Sequence, residues 1–298
     1  MSLIVHQNIS DLFKALNLPL KQELDFSIHF LPDMHKELPF RSPVFRAEYF
    51  SFVFVKKGAG SYQIDAHEFS FQDRTLYFTN PGHIKAFHIQ RAEEAYIITL
   101  SESFLRINVH PRIFDEFPFL LAETVPPKIL PEDQFSEFET LYLQIFQEYH
   151  KDSPYKDRIL GNLFVVLLLK IKEKFWQQYD PILDGDRDSL IVQKFKQLLE
   201  AHFQQDSQTT TLQAQDLAKQ MNLHPNYLGQ VIKSKTGKKL TDWIAERTTE
   251  EAKSLLKNTS LSAKEIAFSL GFSEATHFSR FFKKQTGSSP MAFRKSLS

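Results

Sequence analysis

The sequence predicts an α+β chain: an N-terminal β-barrel with flanking helices, then an all-α C-terminal domain holding two helix-turn-helix units. Three observations carry this reading. The stretch from Asp216 to Gly287 writes one pattern twice. Residues from about 40 to 100 alternate apolar and polar positions between strong turns. Charge divides between the two parts: residues 189–298 hold 16 Lys and Arg against 9 Asp and Glu. Of the 36 basic and 36 acidic residues in the chain, this leaves 20 and 27 for the remainder. A net charge of zero is therefore the average of a tail at +7 and a body at −7. That asymmetry is expected where only one part of a chain meets phosphate.

The bulk composition is that of a soluble globular protein. There is no cysteine, hence no disulfide and no thiolate metal site, which fits a reducing cytoplasm. The N-terminus lacks the basic start and apolar core of a signal peptide. The longest apolar run, Leu163 to Leu169, is too short to span a bilayer. A cytoplasmic protein with no membrane contact is expected.

In the β region Phe50, Phe52 and Phe54 alternate with Ser51, Val53 and Val55. Lys57-Gly58-Ala59-Gly60 reads as a turn, after which Tyr62 and Ile64 resume the alternation. Thr75 to Thr79 and Tyr96 to Leu100 read as further short strands, with Asn80-Pro81-Gly82 a turn between them. Many short strands with such turns predict a small barrel or sandwich.

Helix follows. Pro131-Glu132-Asp133 opens a segment running to about His150, and Asp152-Ser153-Pro154 opens another reaching roughly Tyr179. Along the second, Ile159, Leu160, Leu163, Val166, Leu167 and Ile171 follow helical spacing. The stripe is wider than one small barrel needs. The stripe is expected both to pack on the barrel and to pair with a second chain, with Ile159, Leu163, Val166 and Leu167 meeting that chain in a homodimer. The polar stretch Asp180–Asp188 is the expected boundary. The predicted organisation is therefore 1–180 (barrel about 20–125, helices about 131–180), a linker at 181–188, and a helical C-terminal domain at 189–298.

The two copies run Asp216-Leu217-Ala218 through Tyr227 to Gly237 and Glu265-Ile266-Ala267 through His277 to Gly287. The offset is 49 residues before the turn and 50 after it, so the second turn carries one extra residue. Ala218 and Ala267 are the small residues where two helices cross. Asn222 and Gly271 suit a turn needing positive φ, and Leu223 and Phe272 plug the gap between helices. Ser262 with Glu265 reads as a capping box. His224 and Ser273 are the expected N-caps of the second helices, with Pro225 at the first helical position of the former.

The second helices divide by face. Leu228, Val231 and Ile232, and Phe278, Phe281 and Phe282, form the inward faces. The outward face of the first carries Asn226, Gly229, Gln230 and Lys233; that of the second carries Thr276, Ser279, Arg280 and Lys283 at the same spacing, with Ala275 at its N-terminal end. Asn226 or Gln230 can bridge N6 and N7 of adenine, and Arg280 can bridge O6 and N7 of guanine. Lys233, Lys238, Lys239, Lys283 and Lys284 are placed to meet phosphate. A single such helix is more often a solvated bundle face. Two matched units with aligned polar faces and a basic flank favour DNA. The joining segment Leu240 to Leu256 would span about 26 Å as a helix; with its turns added, the two second helices are expected to sit about one DNA turn apart, roughly 34 Å, and to read neighbouring major grooves on one face of the duplex. A rigid joining helix that fell short of a full turn would favour bending the DNA.

These residues closely resemble the AraC/XylS family of bacterial transcription regulators. The resemblance rests on Arg247, Ala252, Leu255 and Leu256, then Ile266, Ala267, Gly271, Phe272, Phe278, Ser279, Arg280, Phe282, Lys283, Gly287, Pro290, Phe293 and Arg294. It covers roughly residues 189–298. It implies binding to double-stranded DNA upstream of promoters, as an activator that touches RNA polymerase. Gly229, Gln230 and His277 depart from the residues usual in the family, so the first unit is expected to read sequence more weakly than the second.

The N-terminal half resembles the cupin-like sensor and dimerisation barrel of the same family. The residues concerned are Gly58-x-Gly60-x-Tyr62-x-Ile64-Asp65 and Asn80-Pro81-Gly82-His83. Catalytic cupins hold a metal with an H-x-H pair, Glu and a further His. His83 and His88 are present but no H-x-H is, so neither a metal site nor any cofactor is expected. Of 29 Phe, 21 precede residue 181, which suits a core before it suits a pocket for a small-molecule effector. Two other functions compete: a regulator controlled by a protein partner or by expression level, and a cupin enzyme with a helical appendage. The missing metal ligands weigh against the enzyme.

Overall fold

The computed structural model describes residues 3–16, 25–35, 37–110, 113–121, 125–176, 187–203 and 211–296. The chain forms two compact units, Met1–Val109 with Phe117–Leu183, and His110–Glu116 with Asp184–Ser298. Of the expected linker, 181–186 lie outside the described residues, and Arg187 already opens a helix.

In the first unit, strands β1 (Ile4–His6), β2 (Phe26–Phe30), β3 (Phe40–Arg41), β4 (Phe45–Ala47), β5 (Phe50–Ile64), β6 (His67–Phe71), β7 (Thr75–Thr79), β8 (Ile84–Leu100) and β9 (Lys128–Ile129) build one nine-stranded sheet. Its path is β1-β4-β8-β5-β7-β9; β2 and β3 also pair with β8, and β6 with β5. Among the described residues only the β1–β4 pair is parallel. Among the described residues the path does not close, so the β-rich unit stands as an open sheet. Its strands also reach beyond the expected 20–125 at both ends.

Two further differences concern β5 and β8. The expected short strand Tyr96–Leu100 is the end of a 17-residue strand. The expected turn at Lys57–Gly60 is the middle of a 15-residue one. The pairing of β5 with β8 shifts register between Val55 and Gly60. A Cβ on Gly58 would stand 2.9 Å from the Arg91 carbonyl oxygen, and one on Gly60 would strike the carbonyl of His88. The glycines are there for close strand approach at a bulge. The chain reverses instead at Asp65, with φ 49°, and at Asn80-Pro81-Gly82, as expected.

Residues on both faces of the sheet are buried. Phe50, Phe52 and Phe54 are all buried. They lie on the face under α5 (Glu132–Tyr149) and α6 (Lys156–Ile171), helices that follow four short ones, α1 (Ile9–Ala15), α2 (Leu31–Met34), α3 (Glu102–Phe104) and α4 (Ile113–Glu116). Phe54 stacks on Phe135 and Tyr142, and Phe52 meets Phe164 edge-on. The alternate residues Val53, Val55, Tyr62, Ile64 and Tyr77 form a second apolar cluster with Leu31 and Ile89. The phenylalanine-rich strand is thus core, as its period-two spacing predicts.

The second unit is helical: besides α4 it holds α7 (Arg187–Phe203), α8 (Ala214–Gln220), α9 (Pro225–Thr236), α10 (Leu240–Asn258), α11 (Ala263–Ser269), α12 (Ala275–Thr286) and α13 (Pro290–Ser296). It has two cores. Phe195, Leu199, Leu217, Leu228, Ile232 and Leu240 make one; Ala252, Leu256, Ile266, Phe278 and Phe282 make the other. The 19-residue α10 contributes to both. No helix among the described residues is long and apolar enough to cross a membrane.

Candidate nucleic-acid interface

The two helix-turn-helix units are built by the same contacts. Ala218 and Ala267 are fully buried. Their carbonyls accept from Leu223 N–H and Phe272 N–H, each at 2.9 Å. The turn residues Asn222 and Gly271 have φ 53° and 78°, as the turn requires. Four residues separate α8 from α9 and five separate α11 from α12, which is the extra residue counted in the sequence.

The capping box at Ser262 is present. Its hydroxyl accepts from Glu265 N–H at 3.2 Å, and Ser262 N–H donates to the Glu265 carboxylate at 2.8 Å. The Ser262 hydroxyl also donates to the Glu265 carboxylate at 2.8 Å, and the two bonds to the carboxylate hold it below its ordinary pKa, the backbone donor foremost. In the first unit Gln213 N–H donates to Asp216 at 2.8 Å. The sequence reading missed this partner because glutamine is not a preferred N-cap. His224 caps α9, its Nδ1 3.3 Å from Asn226 N–H. Ser273 does not cap α12: the N-cap is Glu274, whose carbonyl takes the Phe278 N–H. The additional turn residue moves the helix start one place on.

The repeat continues past the segment seen in the sequence. Gly237 and Gly287 end α9 and α12 with φ 79° and 78°. The Thr236 and Thr286 hydroxyls donate to the carbonyls of Ile232 and Phe282 at 2.7 and 2.8 Å. Trp243 and Phe293 then stand at equivalent places in α10 and α13. Trp243 packs on Phe195 and donates its indole N–H to Thr236 at 3.0 Å, while Phe293 packs on Phe282.

The faces of α9 and α12 separate as expected. Leu228, Val231, Ile232, Phe278 and Phe282 are buried, and Phe281 is half-buried against Phe272. Asn226, Gln230, Lys233, Thr276, Arg280 and Lys283 are exposed; Gly229, Ala275 and Ser279 are half-buried beside them. The Thr276 hydroxyl donates to Glu274, and the Ser279 hydroxyl to Ala275 C=O, both at 2.9 Å. Lys239 and Lys284 are exposed. Lys238 stands apart: its ammonium binds Glu246 at 2.7 Å and lies over the Trp243 ring.

Between the units, α10 is held by a buried ion network. Arg247 Nε lies 3.1 and 3.2 Å from the two Glu200 oxygens, a second nitrogen lies 2.8 Å from Glu251, and the guanidinium covers the Phe203 ring at 4.5 Å. Arg294 closes the far end of α10, donating to the Leu256 and Thr259 carbonyls.

In the first unit, Ile159, Val166 and Leu169 are exposed on α6 and Leu163 is half-buried. Leu167 is fully buried and does not belong to that outer face. At 100° per residue it turns away from Val166 and joins Leu160, Phe164 and Ile171 in the core. His83 is buried, its Nδ1 2.6 Å from Asp65, and His88 lies on β8 in register with Arg41 and Ser61. Among the described residues no three His, Cys, Asp or Glu gather as a metal site.

Residues 217–296 match a helix-turn-helix domain family. The chain is 35% identical over 88 residues to the Msm operon regulatory protein of Streptococcus mutans, spanning 30% of this chain and 32% of that one. It is 24% identical over 288 residues to the HTH-type transcriptional regulator YfiF of Bacillus subtilis, spanning 92% and 85%. It is 24% identical over 240 residues to the arabinose operon regulatory protein of Escherichia coli, spanning 80% and 77%.

Proposed function

We propose that this chain, which belongs to the AraC/XylS family of DNA-binding transcription regulators, reads two consecutive major-groove segments of one duplex with α9 and α12. The observation that carries the proposal is the residue-by-residue match of two units whose exposed faces hold Asn226, Gly229, Gln230 and Lys233 on one helix and Thr276, Ser279, Arg280 and Lys283 on the other. Amides, hydroxyls and a guanidinium suit base edges, and the lysines one turn on, with Lys239 and Lys284, suit phosphate. Residues 189–298 act as the DNA-binding domain and residues 1–180 as a sensor and dimerisation domain, joined at 181–188. The regulator is a cytoplasmic homodimer, paired through the Ile159, Leu163 and Val166 face of α6, and activates transcription by touching RNA polymerase.

Selection of bound fragments from a random DNA pool, followed by footprinting of the full chain, tests the reading. Protection of two major-groove segments about 10 base pairs apart is expected. No enriched sequence, or protection of one groove segment alone, would overturn it.

A further inference from the structure

Seven of the eight described glycines have a reason in the protein itself. Gly82, Gly237, Gly271 and Gly287 have φ between 78° and 92°, a region that disfavours any Cβ. At Gly58, Gly60 and Gly161 a Cβ would collide with the carbonyls of Arg91, His88 and Asn108. Gly229 has neither reason. It lies inside α9, outside the positive-φ set, and a Cβ there would meet nothing within 4 Å. Glycine inside a helix weakens it about four- to fivefold in equilibrium relative to alanine. Here that cost falls on the outward face, between Asn226 and Lys233 and next to Gln230.

We infer that Gly229 is a notch in the first reading helix that receives the C5-methyl group of a thymine in the recognised duplex. The inference rests on α9 entering a major groove, as proposed above. Its two flanking amides, Asn226 and Gln230, are the side chains suited to bridge N6 and N7 of adenine. Every adenine they select brings a thymine. The thymine methyl is the apolar group that base pairs present in the major groove. Inside a helix the N–H and C=O of Gly229 are taken up by the backbone ladder, so the notch offers only its Cα hydrogens, an apolar contact. A methyl at this position would occupy the space that the thymine methyl needs.

The test compares the full chain with its Gly229→Ala variant on the selected site and on copies in which each thymine in turn is replaced by deoxyuridine. The variant is expected to melt no lower than the parent. It should lose at least tenfold in affinity for the selected site and keep its affinity for unrelated duplex. One uridine substitution should return most of that loss in the variant, and the same substitution should weaken the parent. The parent measurement alone carries the test should the variant fold poorly: a parent indifferent to uridine at every thymine overturns the notch. So does a variant that binds the selected site as tightly as the parent, or one whose loss no uridine relieves. A parent that selects no site overturns the groove-reading proposal itself, and the notch with it.

Discussion

Arg247 on α10 and Glu200 on α7 form a buried pair, with Nε 3.1 and 3.2 Å from the two carboxylate oxygens. The pair ties the helix shared by both units to the first helix of the domain. Breaking one partner of a buried pair typically costs about 3–5 kcal/mol, because the other charge stays behind unpaired. Arg247→Ala is expected to lower the unfolding temperature of the second unit steeply. Arg247→Lys should recover little, since an ammonium cannot reproduce the planar fork over Phe203. A double change, Arg247→Met with Glu200→Met, should lie well above either single change in urea unfolding. Equal losses in the single and double variants would show that the arginine acts by packing alone.

The capping box at Ser262 gives a smaller and local effect. Its hydroxyl accepts from Glu265 N–H at 3.2 Å. Ser262→Ala is expected to cost about 1 kcal/mol, seen as faster amide exchange along α11. Ser273→Ala should be neutral, because Glu274 holds the cap position of α12. A larger loss at Ser273 than at Ser262 would contradict the placement of both helix starts.

Lys85 on β8 is buried, with its Nζ 2.9 Å from the Thr79 hydroxyl. Burial lowers its pKa from 10.5 to about 7, against the smaller opposing pull of Glu48 and Asp65. The folded state therefore releases a proton that the unfolded state keeps. Stability from this group is full above the unfolded pKa and is lost as pH falls from about 10.5 to about 7. Lys85→Met removes the effect. The stability gap between the variant and the parent should widen in the variant's favour as pH falls through this window, by up to about 1.4 kcal/mol per unit. A gap independent of pH in thermal melts between pH 7 and 9.5 would show that Lys85 is protonated throughout.

The α6 face separates two roles that lie one residue apart. Ile159 and Val166 are exposed, whereas Leu167 is fully buried. Ile159→Asp combined with Val166→Asp is expected to leave the fold intact and convert a dimer to a monomer in sedimentation at micromolar concentration. Leu167→Ala should instead destabilise the first unit by about 2–5 kcal/mol without changing the assembly of the folded fraction. A parent chain that sediments as a monomer would end the dimer proposal, leaving one chain to act as a single two-unit reader.

The places where sequence and structure agree or part have physical causes. The helix-turn-helix units were legible because their geometry forces residue types: a small residue at the crossing, positive φ at Asn222 and Gly271, and apolar spacing on one face only. Gly58 and Gly60 were misread as a turn because glycine marks both chain reversal and close strand approach, and the sequence does not distinguish them. Leu167 was misassigned because a broad apolar stripe has no visible edge until the sheet beneath it is known. Arg247 stood in the family pattern, but its partner Glu200 lies 47 residues away, and no periodicity encodes such a pairing. The β1 strand and helix α1 were missed because their apolar runs are too short to show a period.

Arg280 and Lys283 share the outward side of α12, and both are exposed, yet they are expected to do different work. Arg280 lies at the middle of the helix, where its forked donors can meet O6 and N7 of one guanine. Losing a bidentate base contact typically costs about 1–3 kcal/mol and relaxes preference at one position. Lys283 lies nearly a turn further on, towards the Gly287 end, where a point charge meets phosphate. Its loss should weaken all sequences alike and reduce the slope of log affinity against log salt by about one. Arg280→Ala and Lys283→Ala are to be compared on the selected site, on each single-base variant of it, and across a salt series. Arg280→Ala should flatten the preference at one base pair and leave the others as they were. If Arg280→Ala weakens every variant by one common factor, the guanidinium meets the backbone, and α12 enters the groove in a different orientation from the one proposed.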